Sequence, residues 1–194
     1  MLVIFFVAER KMLIGFTGLK GSGKDAAAAY LISKGWKRLA FADPLKEVCR
    51  HLFNFTDRQL HGDLKEVPDP VWSVTPRQTF TYIGTELIRK QLGPFLGVGE
   101  DFWCLHMKQQ ISATTTYVVI TDVRFDNEAA FIKSIGGHIV RIIRPTATSV
   151  DSHISEQGDF PADETIINDS TIEDLHKKVA TLKWIDQSPK KSNP

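Results

Sequence analysis

Two cysteines, Cys49 and Cys104, are all that 194 residues contain. They are too few for a disulfide framework and lack metal-ligand spacing, so a reducing cytoplasm is the expected setting. Neither sign of charge is in excess: 24 Lys and Arg stand against 23 Asp and Glu, a formal net charge of +1. That excludes a protein that holds duplex nucleic acid through bulk positive charge, but not a local cluster of arginines around a small anion. Long apolar runs are missing too. Residues 1–8 are apolar, but a membrane span needs about 20 such residues. A signal peptide would put its positive charge first, whereas here Glu9-Arg10-Lys11 comes after. There is no internal repeat and no low-complexity tract.

Hydrophobic residues make up 42% and charged residues 24%, ordinary globular usage. One domain of this length buries roughly two-thirds or more of its unfolded surface and needs no staples. Short apolar runs alternate with helical patterns, the mark of βαβ units around a parallel sheet. Strands are expected at 13–17, 39–42, 117–121, 138–143 and 165–167. Helices are expected at 24–33, at 44–53 with Asp43 as cap, from Thr75-Pro76 onward, at 102–111, and from about 126 to a stop at Gly136-Gly137. A last helix follows a capping box at Ser170-Thr171-Ile172-Glu173. Residues 54–75 are polar and contain proline, so a mobile excursion is expected there. Nothing in 44–112 reads as a strand, which makes that stretch a helical insertion. Met12 opens a new apolar run, so residues 1–11 are read as an extension, with an extra edge strand as the alternative. Residues 188–194 have no apolar anchor and read as a frayed tail.

Gly18-Leu19-Lys20-Gly21-Ser22-Gly23-Lys24 lies between the first strand and the first helix. This is the G-x-x-x-x-G-K spacing of a phosphate-binding loop in its required context. Glycines let successive backbone N–H groups turn toward phosphate oxygens, the helix N-terminus adds positive potential, and Lys24 reaches the terminal phosphates. The bland alternative is a tight turn with an exposed lysine. Where a hydroxyl would normally ligate magnesium, this chain has Asp25, whose carboxylate can hold Mg²⁺ directly or through water.

Further residues complete a pattern. Gly21-Ser22-Gly23-Lys24-Asp25 and Phe41-Ala42-Asp43-Pro44-Leu45-Lys46 resemble the bacteriophage-type deoxynucleoside monophosphate kinase family. So do Thr75-Pro76-Arg77-Gln78, Gly84-Thr85-Glu86-Leu87-Ile88-Arg89, Phe102-Trp103, the run from Ile120 to Glu128, His153-Ile154-Ser155-Glu156 and Ile167-Asn168-Asp169. The resemblance spans about residues 12–180. It implies an α/β P-loop kinase three-layer fold: a five-stranded parallel sheet flanked by helices, a monophosphate-binding helical insertion at about 44–112 and a short lid at about 145–160. These sit within one domain at 12–187. The implied reaction is transfer of the ATP γ-phosphoryl group, with Mg²⁺, to a deoxynucleoside 5′-monophosphate. The implied partners are small molecules, not nucleic acid or membrane, and the oligomeric state is open, a homodimer included. Phosphomevalonate and dephospho-coenzyme A kinases share parts of the pattern, and a nucleotide-binding regulatory module without an acceptor is the rival from another class.

The resemblance also implies roles. Gly18, Gly21, Ser22, Gly23, Lys24, Asp25 and Asn168 would bind ATP. Asp25 and Asp122 would serve the metal. Asp43, Lys46, Arg77, Gln78, Arg89, Trp103 and Arg124 would bind the acceptor, and Lys24, Arg124 and Arg144 would stabilise the transferring group. Several have a structural alternative: Asp43 caps a helix, Lys46 is a solvated lysine, Arg89 is a surface arginine, Trp103 is core, and Asp122 pairs with Arg124. Arg77 and Arg89 lie about 18 Å apart along a straight α-helix and can grip one phosphate only if the helix breaks near Gly84. His153 and Glu156 match the family without an assigned chemistry. Nothing decodes the base preference.

Overall fold

The computed structural model describes residues 12–146 and 160–185. The expected extension at 1–11, most of the lid at 145–160 with His153 and Glu156, and the tail at 188–194 lie outside the described residues.

Five strands form one parallel sheet: β1 (Leu13–Thr17), β2 (Lys37–Leu39), β3 (Val118–Ile120), β4 (His138–Ile143) and β5 (Glu164–Ile167). Their order is β2-β3-β1-β4-β5. All five residues of β1 and all three of β3 are buried, because both faces of a parallel sheet are covered by helices. Alternation sorts their side chains into two cores. Leu13, Val118, Ile120 and Ile139 face one layer. Ile14, Phe16, Val119, Val140 and Ile142 face the other.

α1 (Lys24–Ser33) and α8 (Ile172–Ala180) cover the second face through Ala27, Ala28, Leu31, Leu175 and Val179. α2 (Ala42–Phe53), α6 (Phe102–Ser112) and α7 (Asp126–Ser134) pack on the first. Thus the connection out of β1 crosses one face and that out of β3 the opposite face, in opposite directions along the sheet. The crevice at the carboxyl ends of β1 and β3 is therefore the topological switch point, where ligands of open α/β sheets bind.

The insertion between β2 and β3 is helical, as expected: α2, α3 (Asp57–Leu60), a 3₁₀ turn at Asp63–Glu66, α4 (Pro76–Thr81), a π-wound segment at Tyr82–Leu92, the short α5 (Gly93–Phe95), a 3₁₀ turn at Gly99–Asp101 and α6. Three local expectations are corrected. β2 is Lys37–Leu39, not 39–42, since the chain turns into α2 already at Ala42. Residues 54–75 are an ordered part of the fold: Phe55 and Leu60 are buried, and the Asp69 carboxylate accepts from the backbone of Val71 and Trp72. The last helix is capped by Thr171, which accepts from the Asp174 backbone N–H, one position later than the expected box. The arm winds on continuously from α4 through Gly84, in line with the helix expected from Thr75-Pro76 onward, but with π rather than α winding after Thr81.

Candidate functional site

The loop after β1 is bent by Gly18, Gly21 and Gly23, all at positive φ, where a side chain would be strained. α1 starts at Lys24, so its N-terminal N–H groups open onto the loop. Lys24 Nζ donates to the carbonyls of Gly18 at 2.6 Å and Leu19 at 2.8 Å, at the loop's mouth. From beneath, the buried Asn168 amide donates to the Ser22 carbonyl at 2.9 Å. Asn168 thus braces the loop. The Ser22 hydroxyl is buried and has no hydrogen-bond partner among the described residues.

Beside β1, the loop after β3 carries Asp122 and Arg124. One Asp122 oxygen accepts from the Phe41 N–H at 2.8 Å and the other from the Ala42 N–H at 2.9 Å. This carboxylate caps α2, and Asp43 does not. The helix begins one residue before Asp43, whose side chain instead pairs with Arg38 at 2.7 Å. Asp25 is exposed in the first turn of α1.

A cleft opens between α2, the arm and the loop after β3. Among its lining are Lys46, Arg77, Arg89, Trp103 and Arg124, together with Asp122, Glu128 and the apolar Phe41, Leu45 and Phe80. Five expected site residues of the acceptor side therefore meet in one cavity. Asp43 and Gln78 do not line it. Gln78 closes a capping box with Thr75 at the start of α4. Arg144, exposed just beyond β4, is not in the lining either.

Lys65 joins this cleft without any sequence signal, because it sits in a 3₁₀ turn of a polar stretch without motif or period. Burial and the nearby Lys46, Arg77 and Arg124 push its ammonium down to about 8. Burial also lowers Lys46, against the pull of Asp43 and Asp122. The Lys65 shift reflects positive charge gathered in a partly desolvated space, and the Lys46 shift reflects the desolvation. The neighbouring Glu66 carboxylate accepts from Arg77 at 2.6 Å and from Lys20 of the phosphate loop at 2.8 Å.

Arg89 and Trp103 form the inner wall. Arg89 is buried and bonded to Glu128 at 2.7 Å, to Asn127 and to the Glu100 carbonyl, with its guanidinium 3.9 Å from the centre of the Phe125 ring. The other Glu128 oxygen accepts from the N–H of Arg124 and of Phe125. Burial holds the Glu128 carboxyl above the usual carboxylate range, against the partial pull of Arg89. The Trp103 indole N–H is taken by the Gly84 carbonyl at 3.0 Å, so the ring offers the cleft apolar surface alone. The two thiols are inert: burial pushes Cys49 up to about 11 and Cys104 up to about 12.

A family model described as deoxynucleotide monophosphate kinase matches residues 70–179. A putative deoxynucleotide monophosphate kinase of Acanthamoeba polyphaga mimivirus is 39% identical over 181 residues, covering 87% of this chain and 94% of that one. The deoxynucleotide monophosphate kinase of Enterobacteria phage T4 is 30% identical over 116 residues, 58% of this chain and 46% of that one. Among solved structures, a Thermus thermophilus protein superposes with a TM-score of 0.51 at 17% identity, over 88% of this chain and 95% of its own, a likeness of fold.

Proposed function

The chain belongs to the deoxynucleotide monophosphate kinase family, and on that premise we propose how its residues divide the work. The reaction is ATP-dependent phosphorylation of a deoxynucleoside monophosphate to the diphosphate. The observation that carries the division is the pair of adjoining sites at the switch point: a glycine loop on a helix N-terminus, and beside it a cleft lined by five basic side chains, Lys46, Lys65, Arg77, Arg89 and Arg124.

In this reading the loop N–H groups and Lys24 hold the β- and γ-phosphates of ATP. The Ser22 hydroxyl, buried without a partner among the described residues, gains one when a phosphate oxygen enters the loop. Lys46, Arg77 and Arg124 receive the acceptor phosphate, with the apolar walls of Phe80 and Trp103 along the nucleoside. The acceptor is already anionic, so positioning and charge neutralisation supply most of the acceleration, without a strong base. Arg124 faces the acceptor from the loop beside the donor site, while Arg144 would reach the transferring group from the end of β4.

The residues fit a magnesium ion. Mg²⁺ takes one or two carboxylates plus phosphates and water, and Asp25 offers an exposed carboxylate next to Lys24. Both Asp122 oxygens already accept backbone N–H bonds, so Asp122 suits a role through water. When bound, the ion neutralises charge on the β- and γ-phosphates.

The test is ADP release with ATP across a panel of deoxynucleoside monophosphates. Release should require an acceptor, and Lys24→Ala should abolish it while circular dichroism and unfolding stay near wild type. Wild-type turnover by that variant would sink the assignment of Lys24. Slow hydrolysis indifferent to acceptor would instead favour a regulatory module.

A further inference from the structure

The 3₁₀ turn Asp63–Glu66 carries two adjacent charges to two different sites. Lys65 lines the acceptor cleft with Lys46 from α2, Arg77 from α4 and Arg124 from the loop after β3, so four separate elements bring cations to one space. Its Nζ lies 5.7 Å from the centre of the Phe80 ring, an apolar wall against which the stem can rest. Glu66, the next residue, bonds through one oxygen both to Arg77 of the acceptor cleft and to Lys20 of the phosphate loop.

Resting on the kinase reading above, we propose that this turn is the clamp for the acceptor phosphate: Lys65 binds the dianion of the incoming monophosphate, and Glu66 is a positioning residue that sets Arg77 against it and ties it to the donor loop through Lys20.

Charge supports the assignment. The lining holds five basic side chains against the two acids Asp122 and Glu128. A phosphate monoester carries a charge of about −1.5 to −2 at neutral pH, which relieves the mutual repulsion of those cations. The charged groups acting on Lys65 are Lys46, Arg77 and Arg124, all of which disfavour its charge, and Glu66 on its own turn, which favours it. With its ammonium held down to about 8, Lys65 loses charge in the free protein as pH rises through that value. A bound dianion favours the charged form, so acceptor binding takes up a proton above about pH 8 and weakens as pH climbs. An arginine in its place stays charged throughout.

The full chain is assayed for acceptor and ATP KM at pH 7, 8 and 9. Wild type should show acceptor KM rising from pH 8 to 9. Lys65→Met should raise acceptor KM about tenfold or more at pH 7 and change ATP KM by less than about twofold. Lys65→Arg should keep the low KM at pH 7 and flatten the rise. Glu66→Gln, which loosens both ties, should raise acceptor and ATP KM together while sparing the unfolding temperature. An acceptor KM unmoved in Lys65→Met, or a pH rise that survives in Lys65→Arg, overturns the clamp and leaves the kinase reading standing. Calorimetric titration with the same monophosphates without ATP, at pH 8.5 in two buffers of different ionisation heat, reads proton uptake directly. Uptake in wild type and none in Lys65→Arg supports the clamp even if no ADP is released, in which case it is the kinase reading that fails. Equal uptake in both overturns the clamp.

Discussion

Arg89 and Glu128 keep opposite charges 2.7 Å apart with each side chain only 3% exposed. Taking both ions out of water is costly, and other partners offset part of it: Asn127 and the Glu100 carbonyl at one guanidinium nitrogen of Arg89, the Arg124 and Phe125 N–H groups at Glu128, while Arg89 Nε has no hydrogen-bond partner among the described residues. Removing one partner strands the other charge. Glu128→Ala should therefore cost about 3–5 kcal/mol of unfolding free energy, seen in urea melts. The double change Arg89→Met with Glu128→Leu should cost less than the single one. A single variant within about 1 kcal/mol of wild type would show that the pair is solvated. The family resemblance pointed to Arg89 and to the segment ending at Glu128, and both line the cleft. The pairing was not legible, because the partners lie 39 residues apart and contact across that distance leaves no mark on local pattern.

At the scale of elements, the arm shows where local rules stop. Thr75-Pro76-Arg77-Gln78 announces a helix start, since Thr75 and Gln78 satisfy each other's backbone N–H groups and proline suits the first turn. The π winding of Tyr82–Leu92 has no such announcement. A straight α-helix would have separated Arg77 from Arg89, whereas here both reach one cleft. Short π stretches are uncommon and gather at functional sites. Gly84 lies at the contact that shapes this one. A Cβ there would stand 2.7 Å from Leu45 Cδ2 on α2, and the Gly84 carbonyl holds the Trp103 indole. Gly84→Ala should push the arm off α2, costing about 1–3 kcal/mol of stability through overpacking. Because Lys46 rides on α2 and Arg77 on the arm, it should also raise acceptor KM more than ATP KM. An unchanged acceptor KM would mean that the cleft width is set elsewhere. The polar stretch 54–75 misleads for the same reason: Phe55 and Leu60 are too few to give a periodic signal, yet they anchor it in the core.

At the scale of the whole molecule, a net charge of +1 hides a cleft in which basic residues outnumber acids, so bulk composition speaks only to partners of bulk size. The parallel sheet followed from the alternation of strands and helices, and the donor loop from its glycines. The order β2-β3-β1-β4-β5 did not, because strands buried on both faces carry no neighbour-specific pattern. That order puts the two sites on opposite sides of one seam. The donor loop belongs to α1 and is braced from the β5 side by Asn168, whereas the acceptor cleft is built on the α2, arm and α7 side. Their ligands should therefore stabilise the fold through different contacts. Saturating either ligand to about 100 times its Kd adds about 2.7 kcal/mol, or roughly 5–10 °C in a domain of this size. Asn168→Ala leaves the Ser22 carbonyl short of a donor, costing about 1–3 kcal/mol. It should shrink the thermal shift given by ATP while preserving the shift given by a deoxynucleoside monophosphate. Equal loss of both shifts would mean that the two halves unfold and bind as one unit. Loss of neither would mean that the loop holds its shape without the brace.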